Sequence, residues 1–269
     1  LITKGNGPGE MFSCALGLHS NASDNFYLQD SNSKTCYIVD LKTLLNSRRF
    51  VPDEQFRYSS EVLPTSDLCL LDDNRYIGYH MWYLDDKQFS KVDSPIGYYQ
   101  KGEDSGKGMD DFPFFVASVN GARLFKNPQT QELWTADMHR DAIRIYNDSL
   151  KQIRELVGPD HFSPEYTRRQ IDAPVAFVTF ADECDYHAYT DYYITDKHIY
   201  LVYEGNKHFD MKNLSPVEIF KLDFDGNLLC NYKPDRYVYS ISINKKEDTL
   251  YCASRSSVME PPVILKYKL

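Results

Sequence analysis

The segment HIYLVYEGNKHFDMKNLSPVEIFKLDFDGNLLCNYKPD, residues 198–235, decides the fold. An apolar, tyrosine-rich run at 199–203 leads through a polar loop to a second apolar run at 217–223. Asp225 and Gly226 separate that run from a third at 228–232, and Asp-Gly between apolar runs is a strong β-hairpin signal. The segment therefore predicts three antiparallel strands, with a type I′ turn at Asp225-Gly226 in which glycine supplies the positive φ.

The same pattern recurs along the whole chain. Each copy has an apolar marker strand, a polar loop, and a second strand that ends in one apolar and one polar residue. The marker strands are NFYLQD (25–30), RYIGYH (75–80), ELWTAD (132–137), HIYLVY (198–203) and TLYCAS (249–254). Their starts are separated by 50, 57, 66 and 51 residues. A period of roughly 40–50 residues with about four strands is typical of a β-propeller blade, so we predict an all-β propeller of four-stranded antiparallel blades.

The remaining strands are placed by the same template. Inner strands are predicted at 13–19, 68–71, 122–125, 189–194 and 237–243, and outer strands at 49–51, 97–100 and 153–157. The last repeat has no outer strand, and residues 1–4 are predicted to supply it by pairing with 264–267. Short helices are predicted at 41–47 and, from the N-cap signal Ser163-Pro164-Glu165, up to Ile171.

The composition limits both the class of protein and its partners. With 269 residues, 42% hydrophobic and 26% charged, the chain is predicted to be globular, and we assign 1–269 to a single propeller domain. The formal net charge of −9 argues against general nucleic-acid binding, which requires basic surfaces. The six cysteines form no CxxC pair, so buried free thiols are favoured over one or two disulfides.

Several stretches together resemble a known family. They are GNGPGE at 5–10, IYLVYEG at 199–205, IFKLDFDGNLL at 219–229, and LYCAS with VILKYKL near the C-terminus. They resemble the TolB-like six-bladed propeller lipoproteins of anaerobic gut Gram-negative bacteria, and FKNPQTQELWTADMHRDAIRIYN (125–147) is similar to one blade of that family. The resemblance implies a secreted protein in the periplasm or at the cell surface, held at the outer membrane by a lipid anchor upstream of Leu1. It implies no established catalytic activity, so no catalytic residue is carried over.

The resemblance implies six blades, whereas the repeats number five. Either a further blade precedes Leu1, or two strands escape the repeat pattern. Within this chain the 66-residue interval, which contains 173–180, is the favoured place for them.

Candidate binding residues follow from the repeat alignment. In a propeller, the loops between the second and third strands of all blades gather on one face, so residues far apart in sequence become neighbours. The residues predicted to meet there are Asp30, His80, Trp82, Asp137, His139, Arg140, Glu204 and Arg255, with Glu10, Lys207 and His208 beside them. Acids, imidazoles and an aromatic ring could bind a sugar, a peptide or a metal; the alternative is a set of ordinary solvated loop residues.

Metal and cofactor chemistry has weak support in the sequence. The acidic loop 104–111 lacks EF-hand spacing, and the cluster DECDYH at 182–187 is only a minor candidate for a metal site. We therefore expect no cofactor, no metal and no catalytic residues.

Two function classes remain open. The first is a non-catalytic binding or scaffold propeller beside nutrient-uptake machinery, with an unidentified protein or a glycan or peptide ligand as partner. The alternative is a propeller hydrolase or lyase acting on a glycan, lactone or peptide. An enzyme would require two carboxylates or a metal at the mouth of the channel, and fold alone does not imply an activity.

Overall fold

The computed structural model describes 192 of the 269 residues. These residues are 3–5, 10–11, 15–18, 25–30, 33, 35–47, 50, 52–57, 67–72, 75–79, 87–93, 96–101, 121–164, 166–170, 176–180, 186–205 and 212–269. They divide into two compact units, Leu1–Ala117 and Ser118–Leu269. Each unit consists mainly of antiparallel sheets formed by strands that are consecutive in the chain.

The first unit contains two four-stranded sheets and a short parallel pair. Its elements are β1 (Thr3–Lys4), β2 (Glu10–Met11), β3 (Ala15–Leu18), β4 (Asn25–Asp30), β5 (Thr35–Asp40), α1 (Leu41–Ser47), β6 (Glu54–Arg57), β7 (Asp67–Asp72), β8 (Arg75–Tyr79), β9 (Lys87–Asp93) and β10 (Ile96–Lys101). The four-stranded sheets have the orders β3-β4-β5-β6 and β7-β8-β9-β10, and β1 pairs in parallel with β2.

The second unit repeats the four-stranded arrangement. Its strands are β11 (Ala122–Lys126), β12 (Leu133–Asp137), β13 (Ala142–Tyr146), β14 (Gln152–Val157), β15 (Tyr166–Gln170), β16 (Ala176–Phe180), β17 (Tyr189–Ile194), β18 (Ile199–Tyr203), β19 (Glu218–Leu222), β20 (Leu228–Tyr232), β21 (Val238–Ile243), β22 (Thr249–Ser254) and β23 (Val263–Lys268). In the described residues, β11–β14 and β17–β20 form four-stranded sheets, β21–β23 a three-stranded sheet, and β15–β16 a hairpin.

The predicted marker strands all occupy equivalent positions. They are β4, β8, β12, β18 and β22, and each is the second strand of its sheet. In the second unit, β12 and β18 are buried along their whole length. For β18 the reason is that alternate side chains pack into hydrophobic clusters on the two faces of its sheet. The predicted all-β architecture of four-stranded antiparallel sheets is therefore confirmed.

The polar residue that ends each third strand has a structural role. Asn147 follows β13, and its side-chain oxygen accepts hydrogen bonds from the N–H groups of Ser149 and Lys151, at 3.1 and 3.0 Å. Asp223 follows β19 and accepts from the N–H of Asn227 at 2.8 Å in the same way. Such Asx turns satisfy backbone donors that the strand no longer pairs, which explains why the repeat ends in an apolar and then a polar residue.

The turn at Asp225-Gly226 differs from the predicted type I′. The N–H of Gly226 donates to the carbonyl of Asp223 at 3.1 Å, and Gly226 has φ 86°. Among the described residues of this turn, only Gly226 has positive φ. This arrangement is a type I turn over residues 223–226 followed by a glycine bulge. The two central residues, Phe224 and Asp225, are not left-handed, and the left-handed residue is Gly226, which ends the turn.

The predicted helix from Ser163 to Ile171 is wrong, whereas α1 confirms the other predicted helix. Tyr166–Gln170 is a strand, and it pairs antiparallel with Ala176–Phe180. The capping signal is overridden because a neighbouring segment rich in β-forming residues is available for pairing. This hairpin lies in the interval that the sequence marked as the place for strands outside the five repeats.

Two strand assignments in the first unit also change. The outer strand predicted at 49–51 lies instead at Glu54–Arg57, and Phe50 is buried in a cluster with Met11, Leu28, Val39 and Leu44. Residues of the predicted closing strand, Thr3–Lys4, pair with Glu10–Met11 rather than with the C-terminal strand.

The cysteines that the structure describes form no disulfide. Cys36, Cys69 and Cys252 are buried, and Cys230 is half-buried in an outer strand. Cys14 and Cys184 lie outside the described residues. The predicted preference for thiols over disulfides is confirmed for the four described positions.

Candidate functional site

A row of five polar side chains crosses one edge of the second unit. The ring centroids of His139 and His187 are 5.5 Å apart in an edge-to-face arrangement. His187 Nδ1 lies 3.4 Å from Glu204 Oε2, and the hydroxyl of Tyr237 donates to Glu204 Oε1 at 2.9 Å. Arg255 directly follows β22 at the same edge, and its charge opposes the rise in the pKa of Tyr237. We call these five residues the polar row.

Strand connectivity explains why these residues meet. His139 lies in the turn after β12, Glu204 directly follows β18, and Arg255 directly follows β22. His187 and Tyr237 precede β17 and β21, the first strands of the next two sheets. In an antiparallel sheet the second strand ends beside the start of the first, so all five positions lie at the same edge.

Backbone hydrogen bonds fix the adjacent segments to one another. The N–H of Ala188 donates to the carbonyl of Met138 at 2.7 Å, and the N–H of Glu204 donates to the carbonyl of Ala188 at 2.8 Å. The segments that carry His139, His187 and Glu204 are therefore held together by main-chain bonds.

Glu204 is a nearly buried carboxylate with two polar neighbours. The residue is 7% exposed, and its two oxygens face Tyr237 and His187. Burial, and then the charge of Glu204, raise the pKa of Tyr237 well above its ordinary value. Tyr237 is consequently protonated at neutral pH and acts as a hydrogen-bond donor to the carboxylate.

Asp137 and Arg140 form a second polar group at this edge. Asp137 is 1% exposed, and its Oδ2 accepts from Arg140 Nη1 at 2.9 Å and lies 3.3 Å from Arg144 Nη2. Arg144 also lies 3.3 Å from Glu155 on the outer strand. The carboxylate of Asp137 therefore joins Arg140 in the turn after β12 to Arg144 on β13.

Asp141 anchors the loops beside the polar row. Its Oδ2 accepts the N–H groups of Asp160 and His161 at 2.6 and 2.8 Å, and the hydroxyl of Tyr189 lies 3.2 Å from Oδ1. Tyr203 donates to Asp160 Oδ2 at 2.9 Å. Burial, and then the charge of Asp141, raise the pKa of Tyr189 well above its usual range. These bonds connect the turn after β12 to the segment after β14 and to β17 and β18.

The structure brings some of the predicted residues together. His139, Glu204 and Arg255 belong to the polar row, and Asp137 pairs with Arg140 nearby in the chain. Asp30 belongs to the first unit, where it is buried and accepts the N–H of Ser33 at 3.4 Å within its turn. His80 and Trp82, with Lys207 and His208, lie outside the described residues, and Glu10 lies in β2 of the first unit.

Sequence reasoning missed His187 and Tyr237. The repeat alignment compared only the loops after the marker strands, whereas these two residues lie in the connections before the inner strands. Aligning the residues that precede each inner strand would have found them. His187 was proposed only as part of a metal cluster at 182–187, whose acidic members lie outside the described residues, and the structure places it beside Glu204. Among the described residues, no group of three or more His, Cys, Asp or Glu side chains is arranged to hold a metal ion.

Comparison with known families identifies the fold. The model of a family described as TolB-like 6-blade propeller-like matches residues 1–246. The chain belongs to this family. The predicted resemblance is thus confirmed, and the repeated four-stranded sheets are propeller blades.

Solved structures support the same fold. A member of the DUF4221 family from Bacteroides vulgatus has a TM-score of 0.58 at 11% identity, covering 98% of this chain and 81% of that chain. Raptor from Chaetomium thermophilum has a TM-score of 0.50 at 10% identity, covering 95% of this chain and 19% of that chain. At these identities the likeness concerns the fold alone. No match was found among curated protein sequences.

The propeller fold of this family supports a binding or scaffold role in general. TolB-like propellers are commonly periplasmic or extracellular. Among the described residues, no helix has the length and apolar character that crossing a bilayer requires.

Proposed function

We propose that this propeller is a non-catalytic binding or scaffold protein whose ligand or partner contacts the polar row. The observation that carries the proposal is the series of contacts from His139 through His187 and Glu204 to Tyr237, with Arg255 at the same edge directly after β22. These residues come from three sheets and are up to 116 positions apart in the chain (255 minus 139). Such convergence at one edge is the way in which propellers commonly build binding sites.

The chemistry of the row suits recognition of a polar ligand. It presents imidazole, carboxylate, phenol and guanidinium groups on a backbone held by main-chain bonds and by the Asp141 network. Tyrosine and arginine are the residue types in which binding energy concentrates at interfaces. A rigid site also avoids part of the entropy that binding to a mobile surface would lose.

We further propose that the protein acts as an outer-membrane-associated lipoprotein beside nutrient-uptake machinery. The family assignment supports a location outside the cytoplasm. Fractionation of cells that express the full gene product, with metabolic labelling by a fatty acid, tests the lipid anchor. Absence of label and recovery in the soluble fraction would contradict it.

Binding is tested on glycan and peptide arrays with the purified protein. A variant carrying His139→Ala, Glu204→Gln and Arg255→Ala changes three residues of the row. The control variant, Lys245→Ala with Lys246→Ala, changes two exposed residues in the turn at the opposite end of the last sheet. We expect the control to retain binding and the triple variant to lose it while keeping its circular dichroism spectrum. Equal binding by both variants would place the site elsewhere.

One observation favours an enzyme as the second candidate, a hydrolase or lyase acting on a glycan, lactone or peptide. His187 Nδ1 faces the Glu204 carboxylate at 3.4 Å, and a carboxylate that orients an imidazole is a common arrangement for a general base. Incubation with glycans, lactones and peptides tests this candidate. Turnover that is abolished in Glu204→Gln would establish catalysis and refute the non-catalytic role.

A further inference from the structure

Arg255 differs from the other arginines at this edge. Arg140 pairs with Asp137, and Arg144 pairs with both Asp137 and Glu155. Among the described residues, Arg255 has no carboxylate within ion-pair distance. Its Nη1 reaches only the carbonyl of Val258, at 3.5 Å. Its charge is therefore not neutralised by a side chain in the part of the chain that the structure describes.

The guanidinium of Arg255 is nevertheless fixed in position. Its central carbon lies 5.1 Å from the centroid of the Tyr239 ring, which places the planar group over the aromatic face. Its Nε is shielded from solvent and has no hydrogen-bond partner within the described chain. The hydroxyl of the preceding residue, Ser254, is fully buried and also has no partner there. A shielded donor without an acceptor costs free energy, and this cost leaves the guanidinium dependent on what its remaining donors can bind.

A carboxylate is the acceptor with the best geometry for a guanidinium. The planar guanidinium presents parallel N–H groups that match the two oxygens of a carboxylate. Arg255 is half-exposed and its Nε is shielded, so the two Nη groups are the donors that a ligand would use. Glu204 does not fill this role, because its oxygens face Tyr237 and His187.

The rest of the polar row indicates what the carboxylate belongs to. Glu204, His187 and His139 carry groups that exchange hydrogen bonds with hydroxyls, and they follow one another away from Arg255 through Tyr237. A ligand with one carboxylate and several neighbouring hydroxyls would use both parts of the row.

We infer that Arg255 anchors the carboxylate of an acidic sugar, a uronate, whose hydroxyls contact the neighbouring residues of the polar row. This assignment rests on the proposed binding function and names its ligand class. It gives Arg255 the binding role, Tyr239 the role of holding the guanidinium flat, and Glu204 with His187 the role of contacting hydroxyls.

Isothermal titration calorimetry with three small probes tests the assignment. The probes are D-glucuronate, D-glucose as the neutral sugar, and trialanine as a peptide carboxylate. The variants are Arg255→Gln, which removes the charge, and Arg255→Lys, which keeps the charge but lacks the paired N–H groups of the guanidinium. Arg154→Gln is the matched control, because Arg154 also lies over an aromatic ring, Trp134, at 5.8 Å but belongs to an outer strand. Thermal melts verify that each variant is folded.

We expect glucuronate to bind and glucose to bind far more weakly. Loss of a charged hydrogen-bonded anchor corresponds to about a 10- to 100-fold weaker affinity for Arg255→Gln. Arg255→Lys should lose part of the affinity, and Arg154→Gln should leave it unchanged. If Arg255→Gln has a markedly lower melting temperature than the wild type, the affinities of Arg255→Lys and the wild type are compared instead.

Three outcomes would overturn the inference: equal binding of glucuronate and glucose, unchanged binding by Arg255→Gln, or preference for trialanine, which would identify a peptide partner. The proposed function fails separately. If the array identifies a neutral glycan as the ligand and the triple variant no longer binds that glycan, the polar row is the binding site but the uronate assignment is wrong.

Discussion

His198 Nδ1 lies 2.6 Å from Glu247 Oε2, and this contact joins the sheet β17–β20 to the turn between β21 and β22. The same carboxylate is within hydrogen-bond distance of Tyr200 and Lys221, both at 3.3 Å, and it also accepts from the hydroxyl of Thr195. Glu247 therefore closes the end of two adjacent sheets that lies opposite the polar row. Its left-handed backbone, φ 56°, directs the side chain from the turn into this group of donors.

Replacing Glu247 with Gln should destabilise the second unit. The side chain is 8% exposed, and the change leaves His198 and Lys221 beside an amide that cannot pair with them as a carboxylate does. Breaking a buried pair by removing one partner costs about 3 kcal/mol of unfolding free energy. Chemical denaturation measures the loss. Asp225→Asn, at an exposed turn residue, is the matched control, and an equal effect of the two substitutions would contradict the role of Glu247.

The Glu247 network should also make stability depend on acid pH. Burial alone would raise its pKa, but hydrogen bonds from Thr195 and His198 hold the pKa below the ordinary value of 4.5. A carboxyl whose pKa is lower in the folded state than in the unfolded state stabilises the fold at pH values above the unfolded-state pKa. This contribution is lost as the pH falls through the folded-state pKa. Melting temperatures of the wild type should therefore drop below about pH 4.5, and those of Glu247→Gln should drop less.

Asp191 should show the opposite dependence. Burial raises its pKa from 3.8 to about 6, although the N–H of Ile241 donates to Oδ2 at 2.9 Å and Arg123 is nearby. Because the folded state holds the proton more tightly, this group lowers stability as pH rises from about 4 to about 6. The rise of about two units corresponds to at most about 3 kcal/mol at neutral pH.

Asp191→Asn keeps an acceptor for Ile241 and removes the ionisation. We expect this variant to be more stable than the wild type at pH 8 and equal to it near pH 4. Denaturation curves at the two pH values measure the difference. A variant that is less stable at pH 8 would show that the charge of Asp191 is needed, most directly by Arg123.

Gly226→Ala should destabilise the turn between β19 and β20. Gly226 has φ 86°, and an added Cβ would lie 2.5 Å from the Leu156 side chain and 3.3 Å from Trp134. The left-handed backbone costs about 1 kcal/mol for alanine, and the contact with Leu156 adds to it. A double-mutant cycle with Leu156→Ala separates the two effects. If Gly226→Ala costs as much in the Leu156→Ala background as in the wild type, the clash contributes nothing.

The described cysteines should differ in their reactivity toward thiol reagents. Cys252 is 1% exposed, and burial raises its pKa to about 12, whereas Cys230 lies half-buried on an outer strand. Thiolate is the reacting form, so Cys230 should be alkylated in the native protein well before Cys252. Peptide mapping by mass spectrometry after brief alkylation measures the order. Alkylation of Cys252 first would contradict the packing of β22.

The local pattern of the sequence was sufficient to place the five marker strands. These strands, and the polar residues that end the strands after them, were found because strand formation and turn chemistry depend on neighbours within a few residues. The same local reasoning failed at Ser163-Pro164, where a helix signal was outweighed by pairing with Ala176–Phe180. It also gave the wrong turn type at Asp225, because hydrogen bonding across the whole hairpin, rather than the dipeptide, set the position of the left-handed residue.

The sequence by itself therefore determined the repeat, the order of the strands within each sheet, and three members of the polar row, His139, Glu204 and Arg255. Only the tertiary structure decided that His187 and Tyr237 join them, and that Asp137 faces two arginines. The contacts of His187 and Tyr237 link segments separated by tens of residues, and they depend on how one sheet packs against the next. Asp137 meets its arginines within one hairpin, through the turn and the register between β12 and β13. No local periodicity encodes that packing, because it is set by burial of the side chains between the sheets.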